Sequence, residues 1–201
     1  MPKILIITPL YPPDIAPLAV YVKELARRLS TEAKITILAY GTLPEKISGV
    51  KIITVSKNMI LPIRLLFFLR VLIPLAHRAE YLYVQNGASV ELPTLFASFF
   101  TRVPIVFHLG DTVALTASKQ KWIPHTITRI LVKRATKIIC RKHEDISWLP
   151  HTEKVTRIDT PVTRPEIMPF VSYPTQEFVD YEQSWNSHMQ ALIKIFNHAK
   201  K

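Results

Sequence analysis

Short runs of consecutive apolar residues alternate along this chain with longer stretches in which apolar residues recur every three or four positions. Lys3 to Pro9 (KILIITP) is apolar almost throughout, as a strand buried on both faces of a parallel sheet must be. In Pro17 to Leu29 the apolar residues Leu18, Val22, Leu25, Ala26 and Leu29 fall on one helical stripe and leave Lys23, Arg27 and Arg28 to solvent. The same alternation predicts strands over Lys34 to Ala39, Val50 to Val55, Tyr81 to Gln85, Ile105 to Leu109, Lys137 to Cys140 and Lys154 to Ile158. Helices are predicted over Leu61 to Arg78, Val90 to Phe100 and Ile123 to Ala135, with a helix-like turn over Glu144 to Leu149. Strands joined by crossover helices need right-handed connections, so the expected fold class is α/β, a doubly wound, mostly parallel Rossmann-like sheet.

The rhythm breaks over residues 160 to 174. Pro161, Pro165, Pro169 and Pro174 mark an extended linker there. Beyond it, Thr175 with Glu177 opens a C-terminal amphipathic helix whose stripe of Trp185, Met189, Leu192, Ile193 and Phe196 needs a surface to pack on. The expected organisation is a domain over 1 to 159, a linker over 160 to 174, and a helix over 175 to 201 that packs back on the domain.

Length and composition narrow the function classes. The 201 residues, 48% hydrophobic and 20% charged, suit one full-sized domain and exclude whole-chain disorder. The single cysteine, Cys140, excludes an internal disulfide and a cysteine zinc site, which points to a reducing compartment. No secretory signal pattern opens the chain. Met59 to Ala76 is long enough to cross a bilayer, but Arg64, Arg70, Pro62 and Pro74 argue against a span.

There are 26 basic and 15 acidic residues, a net charge of +11, and residues 151 to 201 carry six of each sign, so the whole excess lies in residues 1 to 150. A basic field favours anionic partners such as phospholipid headgroups, lipid-linked diphosphates, nucleotide sugars or nucleic acid; an ordinary soluble surface carries the same charge. Nothing beyond that charge points to nucleic acid, and none is expected as a partner.

Particular residues carry more. Thr8-Pro9-Leu10-Tyr11-Pro12-Pro13-Asp14-Ile15, followed by Tyr21-Val22-Lys23-Glu24-Leu25-Ala26-Arg27-Arg28-Leu29, closely resembles the opening of the family 4 glycosyltransferases, enzymes of the GT-B fold. Val84-Gln85-Asn86-Gly87 and Val106-Phe107-His108-Leu109-Gly110-Asp111 resemble the same pattern, so the likeness spans roughly residues 2 to 160. Ser184-Trp185 to Phe196 resembles the family's final helix, which crosses back onto the N-terminal domain. The resemblance implies an acceptor-binding half of a GT-B enzyme, with UDP- or GDP-sugar as co-substrate. It implies too that the donor domain, with its glutamate pair, lies outside these residues, on a separate chain as in split GT-B enzymes. The acceptor would be a glycan or a lipid-linked sugar. The chain alone would be inactive, and its place would be the cytoplasm, peripheral on the membrane face. The alternative is a non-catalytic, degenerate glycosyltransferase-like module that binds a partner chain or an anionic membrane.

Topology puts a ligand crevice at the carboxyl ends of the strands. Asp14, Ala16 and Pro17 belong to its first loop. The family usually has a glycine pair where Ala16 and Pro17 stand; proline has no N–H and alanine resists positive φ, which weakens a phosphate cradle. Pro17 equally suits the first turn of a helix. His108 occupies the place of the family histidine beside the transferred sugar, the candidate catalytic residue; a hydrogen-bonded strand-end histidine would look the same. Asp111 either binds acceptor hydroxyls and orients His108 or caps the next segment. Asn86 and Gly87 either line the crevice or make an ordinary strand-to-helix turn.

Arg141-Lys142-His143-Glu144-Asp145 replaces a serine-rich turn of the family, with Glu144 and Asp145 expected in a helix first turn. No second histidine stands at ligand spacing from His143, and no metal is expected. The apolar and basic helix over Leu61 to Arg78 fits either a core helix or a membrane-facing one. Arg64 and Arg70 on it, and Lys133 and Arg134 within a second basic cluster that includes Lys119, Lys121 and Arg129, are the candidate anionic-surface residues.

Overall fold

Seven strands form one parallel sheet, and the computed structural model describes residues 1–162 and 176–199 of the chain. The strands are β1 (Lys3–Thr8), β2 (Lys34–Tyr40), β3 (Lys51–Val55), β4 (Tyr81–Gln85), β5 (Ile105–Leu109), β6 (Lys137–Arg141) and β7 (Val155–Ile158), in the order β3-β2-β1-β4-β5-β6-β7. Every residue of β4 and β5 is buried, which explains why these runs are apolar without alternation. The register sets Gln85 beside His108, and Leu109 beside Cys140, so the strand ends form one edge.

The helices are α1 (Pro17–Leu29), α2 (Leu61–Arg78), α3 (Ala88–Phe100), α4 (Thr112–Gln120), α5 (Trp122–Arg134) and α6 (Gln176–Ala199). One face of the sheet is covered by α2, α3, α4 and α5 through Phe68, Leu72, Val90, Leu95, Leu115 and Leu131. On the other face α1 covers the first half through Val22, Leu25 and Leu29, and α6 covers the second half. Trp185, Leu192, Ile195 and Phe196 of α6 share a core with Tyr81, Tyr83, Val106 and Ile139. The apolar face of α6 thus buries against β4, β5 and β6, with Ile195 in that core and Ile193, expected on the stripe, only partly buried.

Pro93 lies inside α3 and cannot donate to the carbonyl of Ser89, four residues back. The Tyr40 hydroxyl donates to that carbonyl at 2.9 Å, so the helix carries proline without an orphaned acceptor.

Two expected features change. Glu144 to Leu149 is not helical. The Asp145 carboxylate accepts from the backbone N–H (3.1 Å) and hydroxyl (2.8 Å) of Ser147, a local closure that competes with helix formation. Hence Glu144 and Asp145 do not sit in a helix first turn. Conversely, Thr112–Gln120 is a helix that no strong stripe announced. The expected linker falls largely on residues 163 to 175, and Thr175 with it, outside the described residues.

Candidate functional site

The order of strands reverses between β1 and β4, where the following helices leave to opposite faces, and a doubly wound sheet opens its crevice there. Thr8 and Gln85, the last residues of these two strands, are fully buried with their side chains 2.7 Å apart. Gly87 has φ +154, and a Cβ on it would come within 3.0 Å of Pro9. The β1 and β4 loops therefore touch, and a glycine is what permits the contact.

The β1 loop is held from outside the crevice. Both carboxylate oxygens of Asp14 accept from Lys57, at 2.6 and 2.7 Å, tying the loop to the segment after β3. Beside this pair lies a cleft of about 150 Å³ lined by Tyr11, Tyr40, Thr54 and Asn58, small against the 300–1,000 Å³ of ordinary ligand sites. Ala16 is the N-cap of α1 with φ −139, an extended conformation that asks nothing of glycine. Its side chain offers no cap, and Pro17 takes the first turn, so this helix end presents fewer donors than a phosphate cradle.

Asn86 and Asp111 form a clasp. The Asn86 side-chain amide donates to Asp111 O at 2.7 Å and its Oδ1 accepts from Asp111 N at 2.8 Å. Asp111 in turn caps α4, Oδ1 accepting from the N–H groups of Val113 and Ala114. The β4 and β5 loops are thereby locked together, which fixes the backbone around His108.

His108 points toward α1 and α6. Its ring lies between Tyr21 of α1 (centroids 5.4 Å apart) and Tyr83 of β4 (5.7 Å). Nδ1 is 2.8 Å from the Tyr83 hydroxyl, the hydrogen bond of this ring among the described residues, and Nε2 makes none. Burial, helped by the neighbouring His188 and Arg141, pushes its pKa down to about 3. The ring is neutral at neutral pH. Gly110 passes over it so closely that a Cβ there would lie 2.6 Å from Cε1 and 3.0 Å from Nε2. The imidazole fills the space that a side chain at residue 110 would need, and His108 itself is only 7% exposed.

Sequence reasoning missed Lys57, Tyr21, Tyr83, Gly110 and His188. For His188 a signal existed: it stands between Trp185 and Met189 on the apolar stripe of α6, where a polar residue needs a partner. Tyr21, 62 residues from Tyr83 and 167 from His188, had no such signal, because those pairings arise only in the folded chain.

Glu91 in α3, 1% exposed, is a further residue that sequence reasoning missed. Its carboxylate accepts from Gly87 N at 2.8 Å and from the Thr128 hydroxyl at 2.5 Å, joining the β4 loop to α5. Burial raises its pKa above the ordinary 4.5, against the lowering effect of those two donors. Above pH 4.5 the folded state then holds a proton that the unfolded chain has released, so its stability falls as pH rises toward the folded value. Glu91→Gln is expected to remove that decline; urea midpoints of both proteins across acid to neutral pH measure it, and parallel curves would refute the assignment.

The candidate surface residues divide. Arg64 lies 5.4 Å over the Tyr40 ring and donates to Lys57 O, and Arg134 wraps onto Ser98 and the face of Phe99 (4.7 Å), so both are engaged within the fold. Arg70 and Lys133 are exposed. Helix α2 is both core and surface: Phe68, Leu72 and Ala76 are buried, while Leu61, Ile63, Leu66 and Phe67 are exposed. Phe96, Phe99 and Phe100 of α3 and Trp122 and Ile123 of α5 are exposed on the neighbouring helices. No helix among the described residues is long and apolar enough to cross a membrane, and no group of three or more His, Cys, Asp or Glu residues among them is placed to hold a metal.

No family model matches the sequence, and no curated protein matches it. Solved structures do share the fold. Anabaena HepE, crystallised with UDP and glucose, is similar over 81% of this chain and 45% of its own, with a TM-score of 0.61 at 15% identity. S. aureus MnaA, solved with UDP, is similar over 78% of this chain and 43% of its own, with a TM-score of 0.55 at 15% identity. The chain thus spans under half the length of these two proteins and shares their Rossmann-like fold over that part.

Proposed function

We propose that this chain is the acceptor-side half of a family 4-like glycosyltransferase, moving a sugar from a UDP- or GDP-sugar to a hydroxyl of a glycan or lipid-linked acceptor. The observation that carries the reading is His108: a neutral imidazole at the carboxyl end of β5, held by Tyr83 through Nδ1 and packed against Gly110, where only a glycine fits. An acceptor hydroxyl settles against Nε2, and the Asn86–Asp111 clasp keeps the loops around it rigid. The donor sugar and its diphosphate lie with a donor-side half outside these 201 residues, in keeping with the Ala16-Pro17 helix start and its few donors.

Two titrations test this. Alkyl glucosides and alkyl N-acetylglucosaminides, followed by NMR of the histidine rings, are expected to move the His108 resonances. UDP, GDP and their sugar conjugates, followed by calorimetry, are expected to give little heat with the chain alone. His108 resonances that stay fixed at saturating acceptor overturn the reading of the histidine; turnover by the isolated chain overturns the half-enzyme reading.

The surface of α2, α3 and α5 favours a second role, docking on an anionic membrane. Leu66 is 67% exposed and Trp122 76%, and the same helices α2 and α5 carry the exposed cations Arg70 and Lys133. Flotation with phosphatidylglycerol vesicles is expected to carry the protein, with phosphatidylcholine vesicles carrying much less. A Phe99→Ser, Trp122→Ser double variant is expected to stay behind. Equal flotation of variant and wild type would remove this role.

A further inference from the structure

A line of four side chains runs from α6 to the candidate site. The Nδ1 of His188 is 2.8 Å from the carbonyl oxygen of Asp159, just after β7. A carbonyl only accepts, so this nitrogen carries a hydrogen. Burial lowers the pKa of His188 below the ordinary 6.5, against the raising effect of Asp159, so the ring is neutral at neutral pH and its Nε2 is a bare lone pair. The Tyr21 hydroxyl, 2.8 Å from that Nε2, must donate to it. With its hydrogen so used, Tyr21 accepts from the Tyr83 hydroxyl 3.0 Å away. Tyr83 has then spent its own hydrogen, and its oxygen accepts from His108 Nδ1 at 2.8 Å. Burial raises the pKa of both tyrosines, so neither hydroxyl ionises near neutral pH.

Each step leaves the next group a single option. We propose that His188 on α6 is a positioning residue which, through Tyr21 and Tyr83, keeps the proton of His108 on Nδ1 and so presents Nε2 to the substrate as a hydrogen-bond acceptor. For its consequence, though not for its proton placement, this rests on the acceptor-side reading. A lone pair at Nε2 takes the hydrogen of an incoming sugar hydroxyl, turning the oxygen's own lone pairs toward the reaction centre. The opposite tautomer would offer N–H, occupy a lone pair of that oxygen and weaken it as a nucleophile. With a pKa near 3 the ring does not keep a proton at neutral pH; its part is to orient the hydroxyl.

The ring nitrogens report this directly. In ¹⁵N-labelled protein, two-bond ¹H–¹⁵N correlations separate a protonated ring nitrogen from a bare one. Wild type is expected to show His108 with Nδ1 protonated and Nε2 bare. His188→Phe removes the terminal acceptor, so the hydroxyls reverse, Tyr83 donates to His108 Nδ1, and the Nε2–H form appears. Should that variant not fold, Tyr21→Phe removes one hydroxyl and is expected to give the same shift. An Nε2–H tautomer in wild type overturns the proposal, as does a His108 whose tautomer ignores the folded variants; a packing role for His188 would leave the nitrogens unchanged. Acceptor sugars that fail to move His108 while its tautomer follows the variants would instead sink the acceptor reading and leave the chain of hydrogen bonds standing.

Discussion

Trp185→Ala is expected to lower the stability of the fold by about 3–5 kcal/mol, the cost of deleting a large buried aromatic side chain. Trp185 is 3% exposed, stacks on Tyr21 at 5.5 Å, and carries the Arg28 guanidinium 5.3 Å over its ring. Arg28 is fixed there by Glu24 and by Glu182 of α6, at 2.6 and 2.7 Å. The truncation therefore opens a cavity where α1 and α6 meet and removes one cation–π contact of Arg28, which keeps Glu24, Glu182 and the Tyr181 ring. A domain of ordinary stability, about 5–15 kcal/mol, would lose a large part of it. Urea unfolding measures the loss, and Trp185→Phe, which keeps the stacked ring, is expected to recover most of it. A drop below about 1 kcal/mol would mean that α6 does not unfold with the sheet as one unit.

Gly110→Ala is expected to leave the fold largely intact and to damage the site. The new Cβ would lie 2.6 Å from Cε1 of His108. The ring cannot turn aside without breaking its contact with Tyr83 or pressing on Tyr21, so either it shifts or the backbone after β5 lifts. Overpacking of this kind costs about 1–3 kcal/mol in stability. Under the acceptor-side reading proposed above, a displacement near 1 Å at His108 is expected to lower transfer about a hundredfold once a donor-side half is supplied. Acceptor affinity, read by NMR titration of the isolated chain, is expected to fall with it. Unchanged acceptor affinity in a folded Gly110→Ala protein would place the acceptor elsewhere.

Much of the scaffold was legible before folding because its signals are local. The stripe of α1 and the apolar run of β5 each lie within one element, and both occur with the boundaries their sequences predict. Glu144 to Leu149 failed as a helix because a side chain, Asp145, reached the backbone first. The site was less legible for a related reason. His108 was marked by its place at a strand end, but what gives it chemical character comes from Tyr21, Tyr83 and His188, brought together by the sheet and by α6. Asp14 stood out in the first loop, while Lys57, its partner 43 residues on, looked like any surface lysine.

The position of α6 also sets a timetable for the chain's birth. Strands β4, β5 and β6 leave the ribosome well before the helix that covers one of their faces, since β7 ends at Ile158 and α6 at Ala199. At about 5–20 residues per second, those 41 residues take roughly 2 to 8 s to synthesise. Throughout that interval Tyr81, Tyr83, Val106 and Ile139 stay uncovered. A nascent chain halted there would display an aromatic sheet face to its surroundings, a target for a holdase chaperone or a seed for misassociation.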